Sequence, residues 1–188
     1  MPKPPVAETR AHAVKAPFGA TRNDEYYWLR DDTRKDPAML AYLNAENAYA
    51  DAVLASSAKL KDKLYEEIVG RIKQDDSSVP YRLRNYWYYS RYETGKDYPV
   101  VARRAGNMEA PEEILFDEPK MAEGHNFFQI GDSDVSQDNK LLAWADDTIG
   151  RRQYVLRVKD IASGTVLADT IENIEPNIVW GDDNKTIY

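Results

Sequence analysis

No cysteine occurs among the 188 residues, so neither a disulfide framework nor a thiolate metal site is available, and a reducing compartment is favoured. Histidine is almost as scarce. His12 and His125 are the only imidazoles, each without a second His or Cys nearby to complete a metal set. No stretch approaches the roughly 20 apolar residues of a membrane span. The leading Met1-Pro2-Lys3-Pro4-Pro5-Val6-Ala7-Glu8 lacks the apolar core of a secretory signal. A cytoplasmic protein with no membrane partner is the expectation. Cations are in deficit, with 25 Lys and Arg against 32 Asp and Glu and a net charge of −7, which argues against a nucleic-acid surface. Gly-x-Ser-x-Gly, the signature of a nucleophile elbow, is missing. Ser56-Ser57, Ser77-Ser78, Ser133, Ser136 and Ser163 sit in turn or cap contexts, where a hydroxyl bonds the local backbone. No catalytic residue, metal ligand or cofactor site is expected in this chain.

What is present is aromatic and strand-forming: 13 Tyr and 4 Trp in a chain that is 43% hydrophobic and 30% charged, the composition of a globular domain with half-buried strands. A repeat organises it. Val135-Ser136-Gln137-Asp138-Asn139-Lys140-Leu141-Leu142-Ala143-Trp144 is echoed by Trp180-Gly181-Asp182-Asp183-Asn184-Lys185-Thr186-Ile187-Tyr188, an Asp-Asn-Lys turn leading each time into an apolar strand at an offset of 183 − 138 = 45. A period of that length, made of short strands and tight turns, suits a β-propeller blade. The chain stops inside a repeat, so it reads as the N-terminal piece of something larger.

Along the chain, residues 1 to about 20 are proline-rich and read as an extended arm, followed by an aromatic plug, Asp24 to Asp32. Asp36 offers an N-cap and Pro37 a first helical position. Met39, Leu43, Ala50, Val53 and Leu54 then fall on one stripe of a helix running to about Ala55. Ser56-Ser57 breaks that helix and is placed to cap a second, in which Leu60, Leu64, Ile68 and Ile72 recur every four residues and Gly70 loosens the last turn. From Val79 the period changes to two. Strands are predicted at Tyr86 to Tyr92, Tyr98 to Arg103, Ile114 to Phe116, Leu141 to Trp144, Gln153 to Lys159 and Thr165 to Ala168, the first two joined by a Gly95 hairpin loop. The fold class is therefore an α+β fragment: arm and two amphipathic helices over 1–75, then about two propeller blades over 76–188.

Three motifs invite stronger readings. Asp146-Asp147 and Asp182-Asp183 are paired carboxylates, but without the spaced ligands of a calcium loop they are expected to form turns. Gly124-His125 with Trp144-Ala145-Asp146 imitates the spacing of a WD-type blade, with a residue intervening between Trp144 and Asp146. Glu123, Arg151 and Arg152 lie in loops flanking the strand at Leu141 to Trp144, and loops at one end of a propeller are what face a capping domain. They are the candidate interdomain contacts, against a reading as solvated loop charges.

Asp24-Glu25-Tyr26-Tyr27-Trp28-Leu29-Arg30-Asp31-Asp32 resembles the N-terminal signature of the prolyl oligopeptidase family of serine peptidases. Glu66 to Ile72 with Ser78-Val79-Pro80-Tyr81, Tyr86 to Arg104, and Gly150-Arg151-Arg152-Gln153-Tyr154 are similar to its oligopeptidase B (protease II) branch. Phe18-Gly19 departs from the His-Gly that relatives commonly carry. The resemblance implies a seven-bladed propeller capping an α/β-hydrolase domain with a Ser-Asp-His triad outside this chain. It further implies that residues 1 to about 75 pack on that domain, that the substrates are short peptides cut after Arg or Lys, and that no cofactor is needed. The rival reading is a propeller serving as a protein-binding module with no enzymatic activity.

Overall fold

The computed structural model describes residues 2–188, and the chain divides into two compact units, one ending at Ile72 and the other spanning Lys73–Tyr188.

In the first unit the arm folds back on its own plug rather than staying extended. Strands β1 (Ala13–Lys15) and β2 (Thr21–Asn23) pair antiparallel, and Arg10 N donates to Glu25 O while Asp24 N donates to His12 O, carrying the pairing past the strand ends. The plug supplies the aromatic grip: His12 stacks on Tyr27 at 3.9 Å, Arg10 lies 4.3 Å over the Trp28 ring, and the Trp28 indole donates to Glu8 O at 2.8 Å. Asp31 then collects N–H groups from Thr33, Lys35 and Asp36 together with the Thr33 hydroxyl, which hold its carboxyl well below the usual carboxylate range.

Helix α1 (Pro37–Leu54) starts as expected, with Asp36 accepting Met39 N at 2.8 Å and Pro37 in the first turn. Its covered stripe differs from the expected one. Met39, Tyr42, Tyr49 and Val53 are buried or half-buried, Tyr42 edge-on to Trp28, whereas Leu40, Leu43 and Leu54 are exposed. The plug is aromatic and takes the tyrosine face, leaving the leucine face open. Ser57 does not cap α2 (Ala58–Val69). Its hydroxyl donates backward to Leu54 O across a 3-10 turn, so the two helices join through a bend. α2 ends at the Gly70 cap, placing Ile72 beyond the helix, and Leu60, Leu64, Ile68 and Ile72 are all exposed.

The second unit holds two four-stranded antiparallel meanders with strands in sequence order. The first runs β3 (Tyr81–Leu83), β4 (Tyr86–Arg91), β5 (Val100–Ala105), β6 (Glu112–Asp117); a short α3 (Glu118–Met121) follows. The second runs β7 (Gln129–Val135), β8 (Leu141–Asp147), β9 (Tyr154–Asp160), β10 (Ile171–Ile174). Most strand boundaries move by one or two residues, and two move further. β8 continues past Trp144 to Asp147, because both its faces are buried, and Thr165 to Ala168 contributes only a bridge from Val166 to Lys159, the fourth strand lying later at Ile171–Ile174.

Strand period two sorts β8 between two cores. Leu142 and Trp144 face the first sheet, packing with Tyr88, Leu115, Phe116 and Val135, with Phe116 edge-on to Trp144 at 5.8 Å. Ala143 and Ala145 face the other way, toward Tyr154, Val158, Ile178 and Trp180. Each large apolar side chain so buried stabilises the unit by about 1.5–3 kcal/mol.

The 45-residue repeat is a repeat of structure. Asn139 and Asn184 both take left-handed φ (65 and 55), and Asp138 and Asp183 each accept the N–H of the lysine two residues on. Successive repeats are stitched together at the same place, since Asn184 Oδ1 accepts Asp138 N at 2.8 Å. Asp132 and Asp134 of β7 accept the N–H groups of Ile178 and Trp180, and the Trp180 indole donates to Asp134 O.

Candidate functional site

Antiparallel alternation decides which loops meet. Following the strands in turn, residues 92–99, 118–128, 148–153 and 175–177 come to one end of the second unit, and residues 84–85, 106–111, 136–140, 161–170 and 181–184 to the other. Glu123, Arg151 and Arg152 therefore share an end.

The loop between β8 and β9 is shaped by one carboxylate. Asp147, 1% exposed, accepts N–H groups from Ile149 (2.8 Å), Gly150 (2.9 Å) and Arg152 (2.8 Å). Burial alone would raise its pKa, but the backbone donors outweigh it and hold the carboxyl below its ordinary value. Gly150 (φ 80) and Arg152 (φ 56) turn left-handed around this anchor, so Arg151 and Arg152 stand exposed at a braced tip. The expectation for Asp147 as a turn former holds. Asp146 is different: it stays in the strand, buried, accepting the Trp144 indole at 2.8 Å and Arg157 Nε at 3.0 Å. The Trp144–Asp146 bond therefore closes within one strand, with Arg157 rather than a histidine as the other donor.

The 118–128 connection packs against that loop, for a Cβ added to Gly150 would lie 3.3 Å from the Phe127 ring. Asp117 caps α3 through Lys120 N, and Gly124 (φ 81) reverses the chain, leaving Glu123 exposed. Phe128 is buried and meets Tyr98 of the 92–99 loop edge-on at 5.9 Å, with His125 6.4 Å away. Three loops are thus tied at this end. Glu123, Arg151 and Arg152 are brought to touching loops, yet among the described residues none of the three forms an ion pair.

Two features of this end are not legible in the sequence. Glu118, half-buried and without an ion pair among the described residues, has its pKa pushed up to about 7 by burial. Gly131 is the bulged residue of β7, where a Cβ would sit 2.5 Å from both Pro176 Cβ and Tyr154 Cε1. A lone glycine in Gln-Ile-Gly-Asp-Ser-Asp-Val was the one available signal, since interior strand glycines often mark bulges.

No arrangement for acyl transfer is found among the described residues. The hydroxyls of Ser57, Ser136 and Ser163 donate to Leu54 O, Asp138 and Asp160, and Ser78 accepts Ser90 N. Both imidazoles are engaged with aromatic rings, and no three His, Cys, Asp or Glu side chains converge among the described residues. No helix there is long and apolar enough to cross a membrane.

Residues 5–188 match the family described as prolyl oligopeptidase, N-terminal beta-propeller domain. Dipeptidyl aminopeptidase BI of Pseudoxanthomonas mexicana is 55% identical over 98% of this chain and 28% of its own. Protease 2 of Moraxella lacunata is 29% identical over 92% of this chain and 25% of its own. Among solved structures, oligopeptidase B from Leishmania major superposes with a TM-score of 0.82 at 32% identity, covering 95% of this chain and 28% of that one. The chain spans little more than a quarter of the length of these relatives.

Proposed function

The chain belongs to the prolyl oligopeptidase family, and from that membership we propose that it is the non-catalytic N-terminal portion of a longer cytoplasmic serine oligopeptidase. One observation carries the reading: nearly all of this chain aligns with barely a quarter of a peptidase at 55% identity, while no described serine is paired with a histidine. The longer protein would attack the peptide carbonyl with a serine, using histidine as base and aspartate as orienter. A complete propeller, seven-bladed as the family resemblance implies, would restrict access to short peptides. Cleavage after Arg or Lys follows from the resemblance to oligopeptidase B.

The hydrolase domain of the same longer chain is then the principal partner. The exposed stripes of α1 and α2 would lie against it, and Glu123, Arg151 and Arg152 would contact it from the loop end described above. No cofactor, nucleic acid or membrane enters this reading.

A second reading is favoured by the identity to a protein named dipeptidyl aminopeptidase: release of dipeptides from free amino ends. Assaying the longer protein on N-blocked Arg-terminated chromogenic peptides and on the same peptides unblocked separates the two. Cleavage of blocked substrates supports the oligopeptidase, and cleavage confined to unblocked dipeptides supports the second. No activity on either, with no Gly-x-Ser-x-Gly in the longer reading frame, would leave a protein-binding propeller. The 188-residue chain alone is expected to be inactive.

A further inference from the structure

The tip of the β1–β2 hairpin is built against local preference. Phe18 adopts φ 65 and ψ 23, and Gly19 follows at φ 79. Two successive left-handed residues are the signature of a type I′ turn, which takes Asn, Asp or Gly at its first position and disfavours bulky side chains there. The ring of Phe18 is also fully exposed, at 107% of its reference area. Strain and exposure thus fall on one residue, and the hairpin gains nothing from either.

The rest of the element is soundly made. Ala13, Val14 and Lys15 pair with Asn23, Arg22 and Thr21, and Ala16 N donates to Ala20 O at 2.8 Å, so the tip is a held turn rather than a frayed loop. From Val14 to Arg22 the finger carries Lys15 and Arg22 and no carboxylate, in a chain of net charge −7, which leaves −7 − 2 = −9 elsewhere. Arg22 reaches Asp24 at 3.4 Å at the base of the hairpin, and Lys15 has no ion pair among the described residues. An apolar ring flanked by cations fits an apolar pocket rimmed by carboxylates.

We infer that Phe18 is an aromatic anchor seated in such a pocket on the catalytic portion of the longer protein. The inference rests on the reading above that this portion exists. The hairpin lies within residues 5–188 that match the family, so it is part of the common domain rather than an appendage. The aligned stretch leaves the other 100 − 28 = 72% of the dipeptidyl aminopeptidase chain unaligned, room in which the proposed catalytic portion lies. A seated ring would compensate the left-handed strain and cover Lys15 and Arg22 together.

Timed trypsin digestion of the longer protein tests this, because Lys15 and Arg22 flank the tip. In wild type, cleavage after both is expected to be slow. Phe18→Asn places the preferred Asn-Gly in the turn, so the hairpin itself stays folded, yet cleavage after Lys15 should rise at least tenfold as the anchored population is lost. Phe18→Tyr retains a ring and should cleave like wild type. Equal rates for wild type and Phe18→Asn would overturn the anchor, and protection that fades on dilution would overturn the intramolecular pocket in favour of a second copy. Peptidase activity, measured on the same samples, reports separately on the reading from which the partner is drawn.

Discussion

Asp147 offers the sharpest test of how the loop end is held. Its carboxylate is buried and receives three backbone N–H groups at 2.8–2.9 Å, all from the loop that carries Arg151 and Arg152. Hydrogen bonds to a charged group contribute about 1.5–3 kcal/mol each, but the loop is at the surface and freed N–H groups can turn to water. The loss in Asp147→Ala is therefore set at about 2–4 kcal/mol rather than the sum of three bonds. Asp147→Asn keeps the shape and one acceptor oxygen while removing the charge, and should cost about 1–2 kcal/mol. Hydrogen exchange of a peptide covering 148–153 reads the effect locally. A loss of about 1–2 kcal/mol corresponds to roughly 5- to 30-fold faster exchange at Ile149, Gly150 and Arg152, with the amides of β5 unchanged. The pH dependence has a definite sign. Because the folded pKa lies below the ordinary 3.8, the stabilisation is complete above that value and is lost as pH falls below it toward the folded pKa. Loop exchange in Asp147→Asn equal to wild type at neutral pH would refute the claim that this carboxylate braces the tip.

Glu118, with its pKa raised to about 7 from 4.5, binds protons more strongly folded than unfolded, so stability should fall as pH rises between those values. Glu118→Gln should accordingly stabilise at pH 8 by about 1 kcal/mol or less, given its partial exposure, and be neutral at pH 4.5 in thermal unfolding. Gly131→Ala drives a methyl into Pro176 and Tyr154, and an overpacking cost of about 1–3 kcal/mol is expected in urea unfolding. On the proposed contact with a hydrolase domain, Glu123→Ala and Arg151→Ala in the longer protein should weaken that contact by about 1–2 kcal/mol and alter the salt dependence of the proposed peptidase activity. Unchanged rates and unchanged salt dependence in both would leave ordinary surface charges. The 188-residue chain alone should self-associate through its exposed helix leucines and open strand edges, which sedimentation at two concentrations would detect.

Strands whose pattern was carried by apolar or aromatic side chains were legible from their residues: β4, β5, β8 and β9 were placed within a few positions. β7 was not. Its Gln-Ile-Gly-Asp-Ser-Asp-Val reads as a loop because its polar residues do structural duty, Asp132 and Asp134 binding the main chain of residues 178 and 180 and Gly131 admitting a proline and a tyrosine ring. β10 failed for a related reason. Its Ile-Glu-Asn-Ile contains a left-handed Asn173 and pairs with β9 through a register shift, so no period of two survives. On α1 the covered stripe differs from the expected one because two apolar faces compete. Tyr42, amphipathic in sequence, meets the Trp28 plug edge-on, and Tyr49 is half-buried, so the covered face depends on a partner outside the helix.

The loop end was half visible for a different physical reason. Charged residues in polar loops announce themselves, so Glu123, Arg151 and Arg152 could be named from sequence, and strand alternation alone then sends them to one end. What holds them there could not be named, because Asp147 looks like any other acidic turn residue until three N–H groups are seen to converge on it. The same asymmetry applies to Phe18, which in sequence is only a departure from a common His-Gly and whose meaning lies in a backbone angle. Exposed charges in polar loops are therefore readable one at a time. Residues that act by bracing backbone, or by tolerating an unfavourable one, become visible only with the geometry that they serve. In this family member both kinds occur in exposed turns, one at the tip carrying Arg151 and Arg152 and one at the hairpin tip carrying Phe18, where variants that keep the turn but remove the side chain separate shape from contact.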